Sequence, residues 1–581
     1  MRELPAFFKR KMKGTSHYIN QFAPLLNTLK NYNTLNLKGD VIAGITVGIM
    51  LIPQGMAYAV LAGLPPVYGL YASIVPLLIY AIFGTSRQLA VGPVAMVSLL
   101  VVAGVGELAE PGSDRFIQLA ILTAFGVGLM QLLMGLFRMG FMVNFLSHPV
   151  LSGFTSAAAI IIGASQIKNL TGLEMERTTK VFEIVYHTAA NITNIDVVTA
   201  TIGVGSIAVM VLIKKWKRTF PSALIVVAAG ILITFMFGLN QYGVAIVGDI
   251  PKGLPSFSTV FLDMSDVRPV MTIVLVIALV SYMESIAVAK AIANKKGYKV
   301  DANQELIALG GANIGGSFFQ SFPVTGGFSR TAVNDQSGAS STVASIVSAI
   351  LVALTVLFLT PLFYYLPGAV LAAIIMVAVA GLFDYKEMVN LWKTDRKDLA
   401  MLSVTFLATL FLGIEEGIAI GVILSLVVVI YSSTRPHYAE VGQLGDSRTY
   451  RNIKRFPEAK IRDEVLIYRF DSNLYFANVE HFRETLEKKI FEHGAPLELI
   501  IIDGSAITDI DSTGIDVLNR LIDDLHEKGI KIHMSGVHGP VRDKLKLSGI
   551  ADKMNNECFF FDISEAVQYY KEKDQKILHS A

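Results

Sequence analysis

A full positive charge, Arg330, sits in Phe318-Phe319-Gln320-Ser321-Phe322-Pro323-Val324-Thr325-Gly326-Gly327-Phe328-Ser329-Arg330-Thr331, between two strongly apolar spans. A continuous membrane helix would not hold Pro323, a Gly-Gly pair and a guanidinium this close together. The stretch can run extended as far as Gly327 and open a helix at Phe328. The free N–H groups of that helix start carry about half a positive charge. With Arg330 in its first turn they make an anion site. A loop resting on lipid phosphates would use the same residues, but the flanking apolar spans weigh against it. Arg87-Gln88-Leu89-Ala90-Val91-Gly92-Pro93-Val94-Ala95-Met96 repeats the extended, Gly/Pro, helix order about seven spans earlier. There the backbone N–H groups of Val94 and Ala95 would face those of Phe328 and Ser329, with the Ser329 hydroxyl and Arg330 beside them. Two dipole ends and one guanidinium sum to roughly +2, which suits a small dianion. Glu284 is the only acid in the run Met271–Ala293, and an acid at that depth is costly enough to imply a role. At an effective dielectric of about 20, a carboxylate about 7 Å from a dianion meets roughly 5 kcal/mol of repulsion. That favours its protonated form, so anion and proton would bind together. A fixed Glu284–Arg330 ion pair that only neutralises the site is the competing reading.

These residues need a bilayer around them. The chain has 581 residues, 53% hydrophobic and 17% charged, with a mean hydropathy of +0.53. About fourteen apolar runs lie between Val41 and Tyr431, several of them reaching the roughly 20 residues a span needs. A polytopic α-helical membrane protein follows. Interrupted segments in the third and tenth runs are the pointer to a transport site at the midplane of two inverted halves. Arg2, Lys9, Arg10, Lys11 and Lys13, then Lys214, Lys215, Lys217 and Arg218, then Lys295, Lys296 and Lys299, then Arg396 and Lys397 place the cytoplasm. An even span count puts both termini there. The net charge of +2 implies no nucleic-acid partner, and the single Cys558 leaves neither a disulfide framework nor a thiol cluster for a metal. No cofactor, nucleophile motif or phosphate loop accompanies these residues, so an enzyme is not expected. Gly-rich Ala308–Gly316 reads as close helix packing. Asn169-Leu170-Thr171 and Asn191-Ile192-Thr193 match glycosylation sequons in a loop expected outside.

Charge becomes frequent after Tyr431, and a soluble domain is expected from near Pro436. The division is 1–39, a cytoplasmic N-terminal segment; 40–433, the membrane domain; and 434–581, a cytoplasmic α/β domain. Val465–Phe470, Leu497–Asp503 and Ile530–Met534 read as strands, and Val479–Phe491 and Gly514–Lys528 as helices.

The stretches Pro66-Val67-Tyr68-Gly69-Leu70-Tyr71-Ala72-Ser73, Gly84-Thr85-Ser86-Arg87 and Gly92-Pro93-Val94-Ala95 resemble the signature region of the sulfate permease (SulP) anion-transporter family, which includes the motor protein prestin. Ala302-Asn303-Gln304-Glu305-Leu306 and Thr325-Gly326-Gly327-Phe328-Ser329-Arg330-Thr331-Ala332 match its second half. The resemblance covers almost the whole chain. It implies fourteen spans in a seven-plus-seven inverted repeat, with core and gate domains and elevator-like movement of the core. It also implies that Gln54 and Tyr58, in Pro53-Gln54-Gly55-Met56-Ala57-Tyr58, line the substrate pocket, where the proline is expected to break the first helix. At the position of Glu284, proton-coupled sulfate members carry an acid and a sodium-coupled bicarbonate member an aspartate. Asp509-Ile510-Asp511-Ser512-Thr513-Gly514 resembles the signature loop of the sulfate transporter and anti-sigma antagonist (STAS) domain, whose stand-alone members are phosphorylated at the residue that maps to Thr513. Simple helix capping by Asp511, Ser512 and Thr513 is the alternative there.

The expected function is secondary active transport of an inorganic oxyanion, sulfate first, in symport with protons. Bicarbonate, chloride or dicarboxylate transport, by symport or exchange, is the alternative within transport. An anion-responsive signalling or motor protein is the alternative of another class. The resemblance further implies a homodimer in the cell membrane, and a cytoplasmic protein partner at the STAS domain.

Overall fold

The computed structural model describes residues 24–30, 32–145, 147–173, 175, 180–216, 221–259, 264–445, 447–493, 497–554 and 558–578. The basic cluster from Arg2 to Lys13, the start of the amphipathic piece expected from Tyr18, and Lys217 and Arg218 lie outside the described residues. The chain forms two compact units, Met1–Ser425 and Leu426–Ala581.

Apolar runs between Thr34 and Thr434 become helices because a helix satisfies its own backbone without water. In order these are α1 (Thr34–Leu61), α2 (Pro66–Tyr71), α3 (Val75–Phe83), β1 (Val91–Gly92), α4 (Ala95–Val105), α5 (Asp114–Leu136), α6 (His148–Ser165), α7 (Val197–Trp216), α8 (Ser222–Phe237) and α9 (Met264–Lys296). They continue as α10 (Ala302–Ser317), β2 (Thr325–Gly326), α11 (Phe328–Gln336), α12 (Val343–Leu354), α13 (Gly368–Val379), α14 (Arg396–Phe411) and α15 (Ile414–Thr434). Among the described residues, nine helical stretches are long and apolar enough to cross a membrane, and α4 and α8 are shorter apolar helices. Polar caps fix several starts: Asn33 for α1, Ser113 for α5 and Asp301 for α10 each accept a first-turn N–H.

The first helix departs from expectation. Pro53 does not break it, since α1 is continuous over 28 residues with the proline inside. Proline removes one ladder hydrogen bond, but neighbouring helices can hold a membrane helix together around that gap. Here α1 packs closely on α2, where a Cβ on Gly55 would lie 2.9 Å from the carbonyl oxygen of Gly69. The glycines of α10 do pack closely: a Cβ on Gly310 would stand 2.6 Å from the backbone N of Leu132, and one on Gly128 2.6 Å from that of Ile314. α5 and α10 therefore meet backbone to backbone.

Both interrupted segments are present. β1 and β2 pair antiparallel, Val91 opposite Gly326 and Gly92 opposite Thr325, the relation that two inverted halves require. Each short strand leads into a helix, α4 or α11.

The second unit is a sheet in the order β4 (Tyr450–Asn452), β3 (Tyr438–Leu444), β6 (Val465–Phe470), β7 (Leu499–Asp503), β8 (Lys531–Ser535) and β9 (Phe559–Phe560), with β5 (Ala459–Lys460) paired to β3. The steps from β6 to β9 are parallel, and β3 runs antiparallel to β6. The central strand β7 is buried throughout, as parallel strands covered on both faces must be. Helices α16 (Val479–His493), α17 (Ser512–Glu527), α18 (Gly539–Leu547) and α19 (Ile563–Leu578) complete it. The two expected helices and three expected strands are present within a few residues of their bounds. β3, β4, β5, β9, α18 and α19 were not anticipated.

Candidate functional site

The site begins with how β2 is held. Asn313 of α10 accepts from the N–H of Val324 at 2.8 Å and donates to the Val324 carbonyl at 3.1 Å. Ser285 of α9 accepts from the N–H of Gly326 at 2.7 Å, and its hydroxyl lies 2.6 Å from that of Thr325. On the other side, the N–H of Gly327 donates to the Ala90 carbonyl at 3.1 Å, the N–H of Ala90 donates to the Thr331 hydroxyl at 3.1 Å, and the Asn334 amide donates to the Gln88 carbonyl at 2.8 Å. These bonds replace a regular ladder and lock the starts of α4 and α11 together.

Neither start carries a side-chain cap, at Val94 or at Gly327. First-turn N–H groups without an internal partner are donors available to an anion. Arg330 joins the two halves: it is 2% exposed and donates from Nη1 to the Pro93 carbonyl at 2.8 Å. Among the described residues its Nε and Nη2 have no partner. Burying such donors unpaired is expensive, and a negative ligand reverses that cost.

Gln54, Tyr58, Val94, Ala95, Glu284, Phe328, Ser329 and Arg330 all line one cavity of about 1090 Å³. All eight residues expected there from sequence are therefore brought together. Glu284 lies one residue from Ser285, and its Oε2 is buried without a hydrogen-bond partner. Among the described residues no ion pair of 4.0 Å or less joins it to Arg330, so the reading of a fixed, neutralising Glu284–Arg330 pair is not what the geometry holds. The Gln54 Oε1 is likewise buried and unpaired. The cavity thus pairs two unsatisfied donors, on Arg330, with two unsatisfied acceptors, on Gln54 and Glu284. Chemically, the Arg330 donors can meet an anion, and the Glu284 carboxylate oxygen can carry a proton.

Sequence reasoning missed several lining residues. Met50, Met96, Met210 and Met376 form soft walls, and Lys214 and Lys215, first assigned only to a loop, reach the cavity from the C-terminal end of α7. Their place directly at the end of an apolar run, within the last turn of its helix, was the available signal. The scaffold residues Asn313 and Ser285 were missed as well, because a small polar residue in an apolar run looks the same whether it packs or positions. Among the described residues no cluster of His, Cys, Asp and Glu is placed to hold a metal ion.

Thr513 lies in the other unit, exposed in the first turn of α17. The cap there is Asp511, which accepts from the N–H of Gly514 at 2.7 Å and from that of Phe476 at 2.8 Å. Capping therefore needs Asp511 alone, and the Thr513 hydroxyl is left facing solvent.

The chain matches the Sulfate permease family over residues 37–405 and the STAS domain over residues 456–567. It is 39% identical over 569 residues to "Sulfate transporter 4.1, chloroplastic" of Arabidopsis thaliana, covering 95% of this chain and 83% of that protein. To "High affinity sulfate transporter 2" of Stylosanthes hamata it is 34% identical over 572 residues, covering 95% and 86%. Among solved structures it is similar to the murine Solute Carrier 26 family member A9 anion transporter in the inward-facing state, with a TM-score of 0.87, 28% identity, and coverage of 98% of this chain and 96% of that one.

Proposed function

The chain belongs to the sulfate permease family, a family of transporters and not of enzymes, and we propose that it carries sulfate across a cell membrane together with protons. The observation that carries this reading is the cavity in which unpaired Arg330 donors, two uncapped helix starts and an unpaired Glu284 meet. The curated relatives named above as sulfate transporters favour sulfate over other small oxyanions.

The anion sits between α4 and α11, held by the N–H groups that follow Val94 and Gly327, by the Ser329 hydroxyl and by Arg330. Gln54 and Tyr58 wall the pocket from α1. Glu284 takes a proton as the dianion arrives, because a buried carboxylate beside two negative charges is strongly disfavoured. The membrane gives this coupling a purpose. Moving a dianion inward against about 100 mV costs roughly 4.6 kcal/mol, which co-transported protons offset. Lys214 and Lys215 mark the mouth of the cavity as the cytoplasmic one under the positive-inside rule. Both termini then lie in the cytoplasm. Because β1, β2, α4 and α11 are cross-linked by hydrogen bonds, and β2 is tied to Ser285 of α9 and Asn313 of α10, these six elements travel as one piece against the other helices, in elevator fashion. The parts are 1–39, 40–433 and 434–581, the last offering Thr513 for phosphorylation and a face for a protein partner, within a homodimer.

The deciding experiment is uptake of radiolabelled sulfate by proteoliposomes containing the full chain, with and without an imposed inward proton gradient. Accumulation that needs the gradient supports the reading. Uptake of bicarbonate or chloride in its place, or sulfate exchange indifferent to the gradient, overturns it.

A further inference from the structure

Gly327 raises a question that its backbone does not answer. Its φ of −95° and ψ of 130° are extended values open to any residue, and its N–H makes an ordinary bond to Ala90. Neither conformation nor hydrogen bonding calls for glycine. Its surroundings do. A Cβ at this position would meet Arg330 first, at 2.8 Å from Nη2, 2.9 Å from Cζ and 3.4 Å from Nε. Across the strand pair, a Cβ at Gly92 would lie 3.4 Å from the same Nη2. The guanidinium therefore occupies the space that the missing Gly327 side chain leaves open and lies in van der Waals reach of Gly92, which stands opposite Thr325 in the strand pair that ends just before Gly327.

We propose that Gly327 is a positioning residue for the anion site, conserving by its missing side chain the place of the Arg330 guanidinium. The crowding falls on the far end of a flexible side chain and not on backbone. A methyl group at 327 is thus accommodated by the fold and not by the arginine. Pushed aside, Arg330 loses its bond to the Pro93 carbonyl and leaves the line between the two helix starts. A misplacement of about 1 Å in such a site costs on the order of a hundredfold. The functional half of the inference rests on the anion-site reading given above; the geometric half does not.

The test is a cycle of full-length, detergent-purified proteins: wild type, Gly327→Ala, Arg330→Ala and the double variant. Each is measured for its thermal midpoint without added anion and for sulfate binding by calorimetric titration. Gly327→Ala should lower the midpoint when Arg330 is present. In the Arg330→Ala background the same change should raise it, because the backbone accepts alanine and the space is then vacant. Sulfate affinity should fall by at least tenfold in Gly327→Ala, with no further loss when it is added to Arg330→Ala. The proposal is overturned if Gly327→Ala shifts the midpoint equally in both backgrounds, if it is not recovered folded, or if it binds sulfate as wild type does. Should wild type bind no sulfate, the functional reading fails, while the sign reversal of the midpoint still decides what Gly327 does.

Discussion

Arg330 and Glu284 show what one residue contributes when water is withheld from it. A charge-assisted hydrogen bond is worth about 1.5–3 kcal/mol, so Arg330→Ala should weaken sulfate binding roughly 10- to 100-fold while the protein remains folded. Ser329→Ala removes one hydroxyl donor, about 1 kcal/mol, and should cost less. A larger loss from Ser329→Ala than from Arg330→Ala in calorimetry would mean that the arginine does not face the ligand. Glu284→Gln imitates the protonated acid permanently. Labelled sulfate should then still exchange across the membrane, with binding little affected by pH, yet fail to accumulate under a proton gradient. Gradient-driven accumulation by Glu284→Gln would send the proton along another route. Both residues were legible because a charge in an apolar run has few structural explanations. Gln54 and Tyr58 were found only through family resemblance, since a buried amide or phenol has many. Asn313 and Ser285 were not found at all, although the hold on Val324 and Gly326 depends on them.

At the scale of elements, two kinds of interruption were told apart unequally well. The Gly/Pro breaks before α4 and α11 were read correctly as extended segments opening helices, because Gly92-Pro93 and Pro323 with Gly326-Gly327 punctuate the chain just before residues that can start a helix. Pro53 was misjudged, since its effect depends on neighbours that the local sequence does not display. The glycines of α10 were read as packing sites, and their contacts yield a prediction. Gly310→Leu forces a side chain into the backbone of α5, where a Cβ alone already stands 2.6 Å from Leu132 N. It should cost upwards of about 3 kcal/mol and appear as loss of the monodisperse peak in size-exclusion chromatography. Gly311→Ala, whose Cβ would lie 3.6 Å from Ile79, should elute as wild type. Equal behaviour of the two variants would show that the glycine contact is not what joins these helices.

For the whole molecule, the change of composition after Tyr431 was enough to expect a second unit, but β3, β4, β5, β9, α18 and α19 escaped. Of these, β4, β5 and β9 are two or three residues long, too short to carry a period, and β3, α18 and α19 intersperse apolar with polar residues in a pattern that was not picked out. Among the described residues, those lining the large cavity all belong to the first unit. Removing everything after Pro436 should therefore leave sulfate affinity within about twofold of wild type, with the loss falling on expression, assembly or rate. If affinity falls with truncation, the second unit shapes the site. Thr513→Glu and Thr513→Ala separate regulation from capping: because Asp511 already caps α17, identical uptake by both in cells would leave the threonine without a switching role. On the proton-coupled cycle proposed above, the unpaired donors of Arg330 also govern the half in which nothing is carried. Closing the pocket around a bare guanidinium strands a charge, so the unladen return waits for Glu284 to shed its proton and supply the missing negative charge. On that proposal the unladen leg is expected to be the slow one. Sulfate supplied on the far side replaces it with a laden return, and the carrier then runs faster as a two-way ferry than as a one-way pump.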